Sequence, residues 1–217
     1  MTTDTSIAAL IDHTLLRPDA TPDQIAALCD QARAHGFKSV CVTAIHVPYC
    51  AAALRGTQVL TCTVVGFPLG ASPTCVKVLE TEWAIAHGAR EIDMVLSVGD
   101  LIAGNHDTVR DDIAAVKKAC GDHCLKVIFE TCLLTPAQIE TACRLSVEAG
   151  ADFVKTSTGF SSGGATIDAV ALMARTVGPD IGVKASGGIA TRSDALAMIA
   201  AGATRIGASK SIAITTI

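Results

Sequence analysis

The sequence predicts an α/β protein folded as one (β/α)8 barrel, a single domain spanning residues 1–217. Three observations lead there. Four stretches of helical periodicity end on one signal, a glycine followed by an apolar run: His35-Gly36-Phe37-Lys38, His87-Gly88-Ala89-Arg90, Ala149-Gly150-Ala151-Asp152 and Ala201-Gly202-Ala203-Thr204. A glycine there suits the left-handed residue that stops a helix before a strand, so an αβ unit repeats. Eight runs of strand length alternate with helical stretches. They close into a barrel more naturally than into the competing doubly wound sheet, whose edges would need protection. The length of 217 residues falls slightly under the ~250 usual for such a barrel. Half of the residues are hydrophobic but only 3% aromatic, which suits Ala-rich helices over Val/Ile-rich parallel strands.

In chain order, the segment around Ile11 to Leu15 supplies a first, less regular strand. Thr21 as N-cap and Pro22 at the first helical position then open a helix that runs to Ala34. Strands follow near residues 39 to 43, 60 to 65, 91 to 97 and 125 to 129. Thr135 and Pro136 open a second well-capped helix, ending at Glu148, and strands near 153 to 158, 182 to 186 and 205 to 209 complete the set of eight. Only Ser211 to Ile217 remain for the last helix, which is therefore short.

Composition excludes several classes of function. Residues 56 to 76 carry no charge, but Gly66, Pro68, Gly70 and Pro73 interrupt them, so no membrane span is expected. The start of the chain, with Asp4 and no basic patch ahead of an apolar run, does not read as a signal peptide, and a cytoplasmic location is expected. A net charge of -4, well mixed along the chain, argues against a nucleic-acid partner, which would need a clustered basic surface. The nine cysteines are scattered through apolar positions without a Cys-x-x-Cys pair and read as small core residues in a reducing compartment. Cys120-Gly121-Asp122-His123-Cys124 is the nearest approach to a metal motif, yet ligands crowded into so short a segment do not easily surround one zinc. No metal is expected.

The chemistry is carried by lysines where a buried strand has no use for them. Lys155 lies in Asp152-Phe153-Val154-Lys155-Thr156-Ser157-Thr158-Gly159 and Lys184 in Gly182-Val183-Lys184-Ala185-Ser186-Gly187-Gly188. Lysine is almost never fully buried without a partner. Each also precedes a glycine turn, where a barrel strand hands over to the loop that bears its chemistry. Two neighbouring ammonium groups repel, and burial adds a desolvation penalty, so both effects favour a neutral amine able to attack a carbonyl as a Schiff-base nucleophile. The plainer alternative is that the lysines neutralise carboxylates or bind an anion. Alternation in Glu91-Ile92-Asp93-Met94-Val95 puts Asp93 on one side with Glu91, where it pairs with Lys184 or relays protons. For Asp12, capping and a place at the barrel mouth stand level. His35 and His87 read as favourable charges at helix C-termini, and none of the six histidines is assigned chemistry. Gly159, Gly163-Gly164, Gly187-Gly188 and Gly207-Ala208-Ser209 mark turns whose N–H groups could face a phosphate, although tight turns need glycine anyway.

Motifs from one end of the chain to the other resemble the deoxyribose-phosphate aldolase family: Ile11-Asp12-His13-Thr14-Leu15-Leu16, Val65-Gly66-Phe67-Pro68-Leu69-Gly70, Glu91-Ile92-Asp93-Met94-Val95, Phe153-Val154-Lys155-Thr156-Ser157-Thr158-Gly159-Phe160 and Val183-Lys184-Ala185-Ser186-Gly187-Gly188-Ile189. The resemblance implies a cofactor-free barrel, a homodimer, that reversibly cleaves 2-deoxy-D-ribose 5-phosphate to acetaldehyde and D-glyceraldehyde 3-phosphate. It implies Lys155 as the Schiff-base lysine, Lys184 as its second lysine and Asp93 as the acid/base partner. It further implies Thr158 and Cys41 near substrate, with Gly159, Gly187, Gly188, Gly207 and Ser209 around the phosphate; Asp12 joins the substrate-binding candidates only on the reading that places it at the mouth. Ala190 stands where the family usually has a basic residue, so Lys210 or Arg192 is expected to supply that charge. The rival readings are a Schiff-base aldolase for another aldehyde pair, a sugar-phosphate isomerase whose lysines bind phosphate, and a silent sugar-phosphate sensor.

Overall fold

The computed structural model describes residues 3–216 and has a closed barrel of eight parallel strands in sequential order. The strands are β1 (Ile11–Leu15), β2 (Ser39–Val42), β3 (Leu60–Val65), β4 (Glu91–Val95), β5 (Cys124–Ile128), β6 (Phe153–Lys155), β7 (Gly182–Ser186) and β8 (Arg205–Ala208). Closure is made by β1 against β8, with Ile11 opposite Ile206 and Asp12 opposite Gly207. Around them lie α1 (Thr5–Ala8), α2 (Pro22–His35), α3 (Val47–Ala53), α4 (Thr74–Ala86), α5 (Val98–Ala103), α6 (His106–Cys120), α7 (Pro136–Glu148), α8 (Ile167–Val177), α9 (Arg192–Ala200) and the short α10 (Ser211–Thr215). Among the described residues no helix is long and apolar enough to cross a membrane.

The helix boundaries follow from local chemistry. Thr21, Thr135 and Thr191 each accept a hydrogen bond from the backbone N–H three residues on, while Gln24, Gln138 and Asp194 return a bond to the cap. Such capping boxes satisfy donors that the first helical turn leaves free. At the other end the four glycines read as helix stops, Gly36, Gly88, Gly150 and Gly202, all have positive φ. Two strands stop two or more residues short of the ends that the sequence suggests. β4 stops at Val95 because Ser97 already caps α5, and β6 stops at Lys155, after which Thr156 and Ser157 lead into the glycine turn.

Alternation along each strand divides the molecule in two. Outward residues such as Val40, Ile92, Met94, Val127, Val154, Val183 and Ile206 are buried under the helices and form the main apolar core. The inward face is different. Barrel interiors are commonly filled by branched aliphatic side chains, whereas here Asp12, Glu91, Asp93, Lys126, Lys184 and Arg205 are buried in it, with a small apolar patch of Leu16, Cys41, Cys62 and Val64 beside them. At the lower end Gly182 lies opposite Phe153 in the register, and a Cβ on it would come within 2.1 Å of the Phe153 ring. The glycine therefore admits that ring, over which the Arg205 guanidinium stacks with its carbon 5.1 Å from the centroid, a favourable cation–π contact.

Candidate active site

The charged interior is a stack of ion pairs. Lowest, Arg205 donates to Asp12 Oδ1 (2.7 Å) and to both oxygens of Glu91 (2.8 and 3.1 Å). Above it, Lys126 Nζ lies 2.7 Å from Glu91 Oε2 and 2.8 Å from Asp93 Oδ1. Lys184 Nζ pairs with Asp12 Oδ2 and lies 2.7 Å from Asp93 Oδ2. That same oxygen receives Lys155 Nζ, also at 2.7 Å. Asp93 is thus the hub, one oxygen holding Lys126 and the other shared by Lys155 and Lys184. Asp12 also accepts from Ser39 (2.7 Å), and Cys62 donates to Asp93 Oδ1 (3.3 Å).

Electrostatics separates the cations. Burial alone would lower Lys126, yet Asp93, Cys62, Asp12 and Glu91 together raise it well above the ordinary lysine value. Burial likewise pulls Lys184 down, and Asp12 and Asp93 more than offset it, so Lys184 is raised. The expectation that crowding and burial favour a neutral amine therefore fails for Lys184, because Asp93 stands between the two lysines and Asp12 pairs with Lys184 as well. The carboxylates respond in the opposite sense. Burial would raise Asp93 and Asp12, but Lys126, Lys155 and Lys184 hold Asp93 well below the usual carboxylate range, and Lys184, Lys126 and Arg205 do the same for Asp12.

Only the top of the stack meets open space. Lys155 lines a cavity of about 580 Å³ with Thr158, Gly159, Gly187, Gly188, Gly207 and Ser209. A volume of this order suits a small ligand. Lys126 and Lys184 have no exposure at all and lie beneath it. Gly187 has φ +86°, and a Cβ there would stand 3.0 Å from Gly164 Cα, so both conformation and space call for glycine. Seven of the residues picked from the sequence are therefore on one wall, and Asp93 and Lys184 are directly below it. Asp12 is neither a cap nor at the mouth; it is fully buried between Lys184 and Arg205. Cys41 is fully buried in the apolar patch below the lining. Lys210 is exposed at the N-cap of α10, outside the lining, and Arg192 is held by Asp4 at 2.5 Å. The basic residue that joins Lys155 on the cavity wall is instead Arg17, whose exposed side chain lies 3.2 Å from Asp19.

Lys126, Arg205 and Arg17 escaped the sequence reading. The first two carried the same signal as Lys155, a charge inside an apolar run, in Leu125-Lys126-Val127 and Arg205-Ile206. Donor atoms of Cys41, Cys62 and Asp93, and of Asp12, Cys62 and Glu91, approach within metal-ligand range, but the carboxylates among them already face ammonium or guanidinium groups. In the Cys120–Cys124 segment, His123 directs one ring nitrogen to Cys120 O (3.0 Å) and the other to Arg90 (3.0 Å) rather than toward a shared ligand set.

Comparison with known proteins adds an independent line. The family model of the DeoC/LacD family aldolases matches residues 6–213. The deoxyribose-phosphate aldolase of Rhodospirillum rubrum is 66% identical over 208 residues, 96% of this chain and 87% of that protein. The deoxyribose-phosphate aldolase of Brevibacillus brevis is 60% identical over 206 residues, covering 95% and 93% of the two chains. Among solved structures, a tetrameric deoxyribose phosphate aldolase from Aeropyrum pernix superposes with a TM-score of 0.89 at 32% identity, covering 97% of this chain and 89% of that one.

Proposed function

The chain belongs to the DeoC/LacD family of aldolases, and from that membership and the site geometry we propose that it reversibly cleaves 2-deoxy-D-ribose 5-phosphate to acetaldehyde and D-glyceraldehyde 3-phosphate through a Schiff base on Lys155. The observation that carries this reading is that Lys155 is the one lysine of the Asp93 cluster lining the cavity, while Lys126 and Lys184 are sealed beneath it. The pairing supports it. Asp12, Glu91 and Asp93 are matched by Lys126, Lys184 and Arg205 inside the barrel, whereas Lys155 shares Asp93 Oδ2 with Lys184 and faces the cavity.

In the proposed reaction the Lys155 amine adds to the C1 carbonyl of the open-chain sugar, and the carbinolamine loses water to a protonated imine. The imine withdraws electrons, the C2–C3 bond breaks as the C3 hydroxyl loses its proton, and D-glyceraldehyde 3-phosphate departs. An enamine remains on Lys155. Protonation at its terminal carbon, then addition of water, releases acetaldehyde and restores the amine. Asp93 Oδ2 faces both Lys155 and Lys184, so these two residues are placed to pass protons to and from the reacting nitrogen. Glycine turns at Gly159, Gly187–Gly188 and Gly207 with Ser209 on the cavity wall would receive the phosphate, with Arg17 as its countercharge.

Borohydride trapping tests the proposal. Reduction in the presence of acetaldehyde should leave an ethyl group on the Lys155 peptide, and Lys155→Ala should abolish it. Absence of any adduct in the unaltered enzyme would favour the isomerase reading, in which lysines only bind phosphate.

A further inference from the structure

Glu130 combines three features that a surface-loop glutamate lacks. It is buried, it stands two residues past the end of β5 at the barrel mouth, and its backbone is left-handed at φ 58°, ψ 60°. L residues other than glycine seldom adopt that conformation. The neighbours impose it. Phe129 N donates to Lys155 O (3.0 Å) and Thr131 N donates to Thr156 O (3.0 Å), so backbone bonds to β6 and its extension fix both sides of Glu130. One residue turned out of a ladder in this way is how a strand end re-aims a side chain.

The side chain is aimed at Thr158. Its Oε1 accepts from the Thr158 backbone N–H at 3.3 Å, and its Oε2 accepts from the Thr158 hydroxyl. The hydroxyl oxygen in turn accepts from Phe160 N at 3.0 Å. A threonine hydroxyl has one hydrogen and two lone pairs. Here the hydrogen is committed to Glu130 and one lone pair to Phe160, so a single acceptor site is left, on a residue that lines the substrate cavity.

We propose that Glu130 is a positioning residue that fixes Thr158 as a hydrogen-bond acceptor and so selects acceptor aldehydes carrying a hydroxyl next to the carbonyl. This rests on the aldolase reading above. A carbonyl or phosphate oxygen has no hydrogen to offer and would be turned away at that point. The hydroxyl on the carbon between the cleaved bond and the phosphate-bearing carbon does have one. Thr158 follows Lys155 by three residues on the way to the phosphate-facing glycines, so the intermediate part of the ligand is the part it meets.

Glu130→Gln is the discriminating substitution, since it keeps the shape and changes the polarity. The Thr158 N–H still needs an acceptor, which takes the amide oxygen. The amide nitrogen then faces the hydroxyl and forces its hydrogen toward the cavity. In the synthesis direction with acetaldehyde, kcat/KM is measured for D-glyceraldehyde 3-phosphate and for 3-oxopropyl phosphate, which lacks the hydroxyl. The variant should lose about 3- to 10-fold more on the hydroxylated acceptor than on the other, the range of a hydrogen bond between neutral groups. Thr158→Val should remove the same preference, and the double variant should remove no more of it. Equal losses on both acceptors, or a double variant that sums the two effects, would overturn the proposal. If Glu130→Gln does not fold by circular dichroism, Glu130→Asp, which withdraws the carboxylate by one carbon, should show part of the same selective loss, and its absence would count against the proposal equally. Trapping with acetaldehyde and borohydride runs alongside. An adduct on Lys155 without the selective loss defeats only the role of Glu130, whereas no adduct in the unaltered enzyme defeats the Schiff-base reading.

Discussion

Lys126 and Lys155 bond the two oxygens of one carboxylate at nearly the same distance, yet what lies beyond each nitrogen differs. Lys126 Nζ is enclosed, holding Glu91 as well as Asp93, so removing its charge leaves Asp93 Oδ1 with only the Cys62 thiol and takes one of two cations from Glu91, far from water. Breaking a buried pair from one side costs about 3–5 kcal/mol. Lys126→Met should therefore lower unfolding stability in urea by roughly that amount. Lys155→Met should cost clearly less, because Lys184 still holds Asp93 Oδ2 and the cavity admits water. Equal losses would show that the two positions are equivalent, against the geometry. Arg17 behaves differently again. Its pair with Asp19 is solvent-exposed and contributes little to stability. Arg17→Ala should leave the melting temperature nearly unchanged while raising KM for 2-deoxy-D-ribose 5-phosphate about tenfold, the size of one charge-assisted contact. If KM for unphosphorylated 2-deoxyribose rises equally, Arg17 does not meet the phosphate.

Between residues and the whole stand the strands and helices, and here most of the architecture was legible. The Thr-Pro openings at Thr21 and Thr135 and the four stop glycines encode boundaries through local hydrogen bonding, which needs no knowledge of the rest of the chain. Thr135→Ala should accordingly cost about 1 kcal/mol in thermal or urea unfolding. Lys155, Lys184 and Asp93 were legible because an ionised group in an apolar strand demands a partner. The partners were not legible. Alternation assigns Glu91 and Asp93 to one face, but which side chains meet across the barrel depends on the stagger of all eight strands. Hence the sequence alone leaves Asp12 between a cap and the mouth and gives Lys126 and Arg205 no partners. Gly182 shows the same limit. It reads as an ordinary glycine at a strand start, and only the register reveals the Phe153 ring against it. Gly182→Ala should displace that ring and destabilise the barrel by about 1–3 kcal/mol. A neutral outcome would mean that the ring shifts freely and does not brace Arg205.

At the scale of the whole molecule, these ionisations set the pH range over which the barrel is stable, and the sign of each shift fixes the side on which stability is lost. Asp12 and Asp93 are depressed in the folded state, so their contribution is present above the ordinary carboxylate value of ~4 and is lost as pH falls below it. Lys126 and Lys184 are raised, so theirs is complete below ~10.4 and is lost only as pH rises beyond it. A separate group narrows the acid side. His13 is buried on β1 between Ser211 Oγ (2.9 Å) and Gln31 Oε1 (2.8 Å), tying the barrel wall to α10 and α2. Burial lowers it, more than the Gln31 bond raises it. A lowered histidine favours the neutral form when folded, so its contribution is complete above ~6.5 and falls as pH drops toward its folded value. Burial also pushes the Cys120, Cys124 and Cys143 thiols up to about 12, so their contribution begins to be lost above the ordinary thiol value of ~8.5, and urea midpoints should be level from about pH 6.5 to 8 and decline in two stages below that. The first stage, one proton deep, can be no steeper than about 1.4 kcal/mol per pH unit. The second, below pH ~4, can reach twice that from Asp12 and Asp93 alone, and Asp4, Asp100 and Asp194, also depressed by their hydrogen bonds, steepen it further. His13→Gln, which keeps a hydrogen-bonding side chain but cannot charge, should erase the first stage and leave the second. A level midpoint from pH 6.5 down to ~4 in the unaltered protein would mean that the charged imidazole is accommodated, and that the wall of the barrel yields at β1.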